Sequence, residues 1–434
     1  MLIEPRGGAE SRVEWWSGCY HRRMSVRFHS ERLDNGLQII GECDPNAHTT
    51  ALGFWISTGA RDEEASLMGV SHFLEHMMFK GTERRSAEQV NRDFDAIGAV
   101  NNAFTSAEMT AYWAHMLPEN AFAGLEILAD MMRPSLRAED FEAERQVILE
   151  EIAMYEDQPF WVLYEHAMER FYGRHPLAHR VLGTRETVGG MGLEGMRDYF
   201  TRRYSSDNTV LAISGSFDFE QVVDRAAELC GSWTPSRPRR EHREPERVDD
   251  RSVVPISGLG QSYLVMLAPA PEARSDDRYA AGLLAHTLGG DETSKLYWSL
   301  VETGKAEEAQ CSYDPRDACG EFAIWGVCPE DRMDEVEQSI LDQIDGLADH
   351  LVQDDLERAR ARTATQAVVA SERPLGRLNR IAGNWLRRGV YTTIEEEMSR
   401  IDAVTIEDLV ECSRRFPLKP LVTARAVSGG SEAG

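Results

Sequence analysis

The sequence predicts a two-domain α+β protein built by duplication, and three observations carry this. Apolar, β-rich runs such as TALGFWIST (50–58) alternate with stretches of helical length and period. The segment PSRPRREHREPERVDD (235–250) is dense in charge and proline, lacks a hydrophobic period, and splits the 434 residues into halves of similar size. The halves also look alike. RAEDFEAERQVILEEIA aligns without a gap on VQDDLERARARTATQAV, placing Asp355 on Asp140, Leu356 on Phe141, Glu357 on Glu142 and Arg360 on Arg145. A period of about 200 residues means a duplicated domain, since solenoid units run to about 20–50. The expected divisions are a tail over 1–25, a first domain over 26–234, a linker over 235–250 and a second domain over 251–434.

In chain order, LDNGLQIIGE reads as strand, turn and strand, with Asn35-Gly36 as the tight turn. TALGFWIST follows as a buried strand. GVSHFLEHMMF has helical length, and Gly69 to Ser71 can open it. AEQVNRDFDAIG is an amphipathic helix closed by Gly98. NNAFTSAEMTAYWAHML reads as two strands joined at Ser-Ala-Glu. NAFAGLEILADMM and AEDFEAERQVILEEIAMY are helices, with polar residues at their starts as caps. After the linker, SYLVMLAPAP repeats the strand and YAAGLLAHTLGG the helix.

Composition excludes several function classes. Hydrophobic residues make up 42% and charged residues 28%, so a sizeable core is expected. No apolar run approaches the roughly 18 residues of a membrane span. A net charge of -26 argues against nucleic acid, because a phosphate backbone calls for Lys and Arg. The 7 cysteines, with no CxxC, read as reduced thiols and point to a cytoplasmic protein. The N-terminus has no apolar core of a secretory signal, and the residues ahead of Met24 read as a loose tail.

The chemistry concentrates in HFLEH, 72–76. Positions four apart lie on one helix face, so His72 and His76 can offer two imidazole nitrogens to one metal ion. Glu75, three after His72, can reach a water on that metal, as in the inverted zinc-peptidase motif. Chance would produce the pattern on the order of 0.03 times in such a chain, which disfavours two ordinary surface histidines. A hydrolytic zinc site wants three protein ligands and an open position. ERQVILEE offers Glu144, Glu150 and Glu151. Glu144 and Glu151 share a face two turns apart, whereas Glu150 is rotated about 100° from Glu151. Glu151 is the preferred ligand, and Glu144 is a candidate for orienting a ligating histidine. A solvated glutamate is the plain alternative for either. The duplication supplies a control: Glu144 and Glu151 are matched in the second half by Ala359 and Gln366, and the matching short helix has only His286. Packing alone does not demand the polar set. His48, His166, His175, His179, His242 and His286 have no motif context and read as ordinary histidines.

These motifs, with HPLAHRVLGTRETV and YSSDNTVLAISGSFD, resemble the pitrilysin/insulinase family of inverted-motif zinc peptidases. The likeness is greatest to short-chain bacterial members and the β subunit of the mitochondrial processing peptidase. It spans about residues 26 to 425 and is dense in the first half. The resemblance implies one Zn2+ per chain on His72, His76 and Glu151, with Glu144 auxiliary and Glu75 as general base. It implies that each half is an antiparallel sheet with helices on one face, the two halves forming half of a clamshell. It also implies that NNAFTS is an edge strand on which a peptide substrate lies as an added strand, with Asn102 and Ala103 at its centre. A turn-stabilising amide is the other reading of Asn102. Many members carry an Arg and a Tyr, seven apart, in the second half to hold substrate; Val301 and Glu308 stand there in this chain.

The expected function is that of a zinc metalloendopeptidase acting on unfolded peptides, as a homodimer or a heterodimer with a related chain. The alternative is a non-catalytic or weakly active subunit of a hetero-oligomeric peptidase or structural complex.

Overall fold

The computed structural model describes residues 26–240, 242 and 244–429. The tail expected over 1–25 lies outside them. The first hairpin joins β1 (Arg27–Arg32) to β2 (Gln38–Cys43). Gly36, at φ +91°, donates to the Leu33 carbonyl at 2.8 Å, so Asn35-Gly36 makes the expected turn. There follow β3 (Thr50–Ile56), α1 (Val70–Met78), α2 (Ala87–Ala96), β4 (Val100–Thr105) and β5 (Thr110–Met116). Next come α3 (Ala121–Met131), α4 (Ala138–Glu156), α5 (Pro159–Tyr172), α6 (Arg185–Gly190), α7 (Leu193–Arg203), β6 (Thr209–Gly215) and α8 (Phe219–Cys230). The second half holds β7 (Asp250–Ile256), β8 (Ser262–Pro269), α9 (Arg278–Gly289), β9 (Glu308–Arg316) and β10 (Cys319–Cys328). It closes with α10 (Met333–Asp345), α11 (Gln353–Ser371), α12 (Pro374–Arg388), α13 (Ile394–Ala403), α14 (Ile406–Arg415) and β11 (Val422–Ser428).

Two sheets result, ordered β1-β2-β6-β3-β5-β4 and β7-β11-β8-β10-β9. Apart from β1 the orders match strand for strand, as duplication requires. The helices match too: α4 and α11 each run 19 residues, and each is followed by a helix opening on proline, which suits a first helical position. Each sheet departs from a purely antiparallel arrangement by one parallel pair, β2 with β6 and β7 with β11.

Helices cover both faces of each sheet, which the sequence reading did not foresee. One face of the first sheet packs on its own helices in a core that includes Phe54, Phe73, Leu125, Phe141 and Ile148. The other face, with Ile40, Ala51, Trp55 and Ala212, receives Leu378, Ile381 and Ala382 of α12 from the second half. In return, Leu163, Ala167, Phe171 and Tyr172 of α5 pack on Val265, Leu267, Ala323 and Ala424 of the second sheet. Burying a large apolar side chain contributes about 1.5–3 kcal/mol, so the exchanged helices help hold the halves together. Within that contact, buried Glu321 accepts from Arg316 at 2.9 Å and from the Tyr172 hydroxyl. In the segment between the halves, Arg240 pairs with Asp62 at 3.0 Å and donates to the Glu108 carbonyl at 2.6 Å, while Arg247 donates to the Gly320 carbonyl at 3.0 Å, so the segment is held to both halves.

The caps expected on α3 and α4 are not made. Asn120 donates to the Ile97 carbonyl instead, and Arg137 stands at the start of α4 without a capping bond. Glu139 and Asp140 in the first turn of α4 offset the helix dipole by charge. Among the described residues no helix is long and apolar enough to cross a membrane. Cys43, Cys230, Cys311, Cys319, Cys328 and Cys412 are free.

Candidate metal centre

The site rests on two helices, α1 and α4. Gly69 precedes α1 at φ +93°, and a β-carbon there would sit 2.6 Å from the Leu182 carbonyl, so the position needs glycine twice over. The open N–H groups of Gly69 and Ser71 donate to Glu63 at 2.7 and 2.8 Å. Glu63 is buried, and burial pushes its carboxyl up to about 8, against the pull of those donors. This anchor was not legible in the sequence, because nothing in spacing ties Glu63 to the helix start.

Phe73 of α1 stacks on Phe141 of α4, with ring centroids 4.6 Å apart. That contact carries the stripe Glu144, Ile148 and Glu151 alongside the histidines. The Nε2 atoms of His72 and His76 each lie 3.7 Å from the same oxygen, Glu151 Oε2. One ligand atom from each of these three residues lies within 4.8 Å of the others, and this is the only such group among the described residues. A tetrahedral ion with ligands about 2.0–2.1 Å away would hold them roughly 3.4 Å apart. The donor set therefore fits zinc with little movement. Glu150 is exposed, as its rotation predicts.

Protonation differs between the two histidines. Burial, helped by the neighbouring His76, drives His72 down to about 3, so it stands as the neutral imidazole that a metal takes. His76 Nδ1 lies 2.9 Å from Glu144 Oε1, which leaves Nε2 facing Glu151. Burial pulls His76 down, but the Glu144 hydrogen bond and the charges of Glu144, Glu151 and Glu75 outweigh it and hold the ring above its ordinary value. Glu144 also pairs with Lys80, a partner the sequence did not reveal. Burial works against its charge, yet His76 and Lys80 keep its carboxyl below the ordinary value. Glu144→Gln should therefore weaken metal affinity about 10–100-fold, read by competition with a chelator; unchanged affinity would remove Glu144 from the assignment.

Glu75 faces the same space without joining the ligand set. Its Oε2 accepts from the Thr105 hydroxyl at 2.6 Å. Burial raises its pKa, with Thr105 and His76 opposing and Glu151 adding to the rise. Thr105 ends β4, so the edge strand and the carboxylate sit side by side. Thr105 lies in the quoted NNAFTS, but only the fold discloses its bond. Asn102, exposed on β4, lies within a strand and not in a turn; its Oδ1 accepts from the Ala103 N–H at 2.8 Å. Val301 ends a π-helical turn (Tyr297–Val301), and Glu308 opens β9 and accepts from the Trp325 indole at 3.0 Å. His166, His179 and His242 bond to Ser252, Ala60 and Asp317, away from this cluster.

Comparison with known proteins finds relatives named as peptidases. Residues 38–185 match the family described as Insulinase (Peptidase family M16), and 191–363 match its Peptidase M16 inactive domain. A protein of Streptomyces coelicolor named as an uncharacterized zinc protease is 31% identical over 88% of this chain and 85% of its own length. YmxG of Bacillus subtilis, named likewise, is 30% identical over 88% of this chain and 94% of its own. Among solved structures, a protease from Helicobacter pylori superposes with a TM-score of 0.86 at 20% identity, over 93% of this chain and 100% of that one. A putative M16-like peptidase from Alicyclobacillus acidocaldarius gives 0.82 at 22%, over 93% and 99%. At such identities these two speak for the fold alone.

Proposed function

The chain belongs to the insulinase family of peptidases, family M16, and on that premise we propose that it is a zinc metalloendopeptidase acting on unfolded peptides. The observation that carries this reading is the convergence of His72 Nε2 and His76 Nε2 on Glu151 Oε2, 3.7 Å from each. These three residues would hold the zinc, which supplies Lewis acidity toward a carbonyl oxygen and acidifies water.

The protein's own groups do the rest. Glu75 takes the proton of the attacking water and later gives it to the leaving amine. Its raised pKa favours both transfers, since a carboxylate near its ordinary value is a weak acid–base partner at neutral pH. Thr105 fixes Glu75 Oε2 and leaves Oε1 for the reacting water. Substrate backbone adds to the free edge of β4, last in its sheet, with Asn102 and Ala103 at the contact. Such addition reads main chain and accepts many sequences. A folded protein has no free strand to offer. Two chains would close the chamber, since each has only two of the four sheet domains expected of a clamshell. A homodimer is the default, and a related chain is the other candidate.

The test is digestion of an unstructured peptide mixture and of a stable native domain by the purified, zinc-loaded protein. Internal cleavage of the peptides with the native domain intact is expected. Equal digestion of both would contradict the edge-strand account.

One observation favours a second reading, a weakly active subunit. Glu308 is already bonded to Trp325, and Val301 has no charge, so neither offers an arginine-like or tyrosine-like grip on substrate.

A further inference from the structure

Arg133 follows α3 and lines a cavity of about 340 Å³ together with Phe200 of α7 and Trp233 beyond the end of α8. Its guanidinium carbon lies 3.9 Å from the Trp233 ring centroid and 5.8 Å from that of Phe200. Nη1 donates to the Met132 carbonyl at 2.6 Å and to the Tyr204 carbonyl at 3.4 Å. Those contacts make Arg133 a strut between the ends of α3 and α7, yet they engage one nitrogen and the ring faces only. Nε and Nη2 make no hydrogen bond among the described residues, and neither is sealed from solvent. These two nitrogens form the edge of a guanidinium that matches the two oxygens of a carboxylate.

The charge is unmatched as well, in a chain whose net charge is -26. No carboxylate pairs with Arg133 among the described residues, and burial pulls its guanidinium down to about 10 with only Cys230 opposing. A charge taken out of water is costly unless it is paired, and contact with the rings offsets only part of that. Asp130 also lines the cavity, but Thr82 and Arg85 already hold it at 2.8 Å each. Arg84, the other cation on the wall, has Glu126 at 2.9 Å. Arg133 therefore carries the uncompensated charge of the cavity.

We propose that this cavity is a binding site for an organic carboxylate, gripped through both oxygens by Nε and Nη2 of Arg133, with Trp233 and Phe200 as walls. Ligand pockets run to about 300–1,000 Å³, so one at the small end takes a short acid or the last residue of a peptide. None of the residues lining it belongs to the metal cluster or to β4. The site is thus a second one, and it stands whether or not the chain hydrolyses peptides.

The experiment is calorimetric titration of the full chain with N-acetylalanine and with its primary amide, then with an unstructured tetrapeptide bearing a free or an amidated C-terminus. Each acid should bind about tenfold tighter than its amide, which cannot accept through two charged oxygens. Two variants are titrated alongside, with thermal melting to show that each is folded. Arg133→Met keeps the apolar stem and removes the fork, and Ser232→Phe, at an exposed lining position, fills the cavity and leaves Arg133 in place. Both should abolish the difference between acid and amide, a difference that a merely structural role of Arg133 would not create. A carboxylate held by zinc at the histidine cluster would instead keep its advantage in both variants. Equal affinity of acid and amide for the wild type, or an acid preference that survives in either folded variant, would overturn the site. A peptide acid that outbinds N-acetylalanine would point to a peptide C-terminus as the source, and equal affinity to a free small acid; either result supports the site.

Discussion

Replacing Glu75 by glutamine should lower peptide turnover about a thousandfold while leaving the zinc content at the wild-type level. The loss is that of a positioned acid–base group, worth roughly 10²–10⁴. The retained metal follows from geometry: Glu75 bonds Thr105, whereas the His72, His76 and Glu151 donors face one another. Glutamine can still accept from the Thr105 hydroxyl, so the fold is untouched. Turnover and metal analysis on one preparation check this. A variant that stayed active would remove Glu75 from the mechanism, and one that lost its zinc would place Glu75 among the ligands.

Replacing Glu151 by glutamine should give the opposite pattern, with affinity for zinc down by more than about 100-fold and activity lost with it. The amide keeps the shape but not the charge, and Glu151 is the only carboxylate in the cluster. Excess zinc should restore part of the turnover in this variant and none in Glu75→Gln. That contrast separates a ligand from a base. If Glu151→Gln kept its zinc through dialysis against a chelator, the third ligand would have to lie elsewhere.

Much of the site was legible because it depends on local spacing. His72 and His76 lie one turn apart, and Glu144 and Glu151 two turns apart, so helical geometry alone puts each pair on one face. The second half sharpened the reading: Ala359 and Gln366 fill the matching places on α11, a helix of the same length as α4, so packing did not require the glutamates. Contacts between distant segments were not legible. Glu63 anchoring α1, Thr105 on Glu75 and Lys80 on Glu144 leave no periodic trace. The fold divides the same way. The Asn35-Gly36 turn and the buried β3 follow from residue type, and the matching sheet orders follow from the repeat. The exchange of α5 and α12 does not, because an amphipathic helix shows that it has a buried face and not which sheet covers it. The parallel pairs β2 with β6 and β7 with β11 were missed for a like reason: alternation gives a strand's faces and not its neighbour's direction.

The most direct measurement follows zinc and turnover together in protein stripped by a chelator and titrated back with zinc. The account predicts negligible hydrolysis of an unstructured peptide by the stripped protein, then activity rising in proportion to bound zinc and levelling at about one ion per chain. Full hydrolysis by metal-free protein, or zinc bound at one per chain with no hydrolysis by either the homogeneous protein or its complex with a related chain, would contradict it.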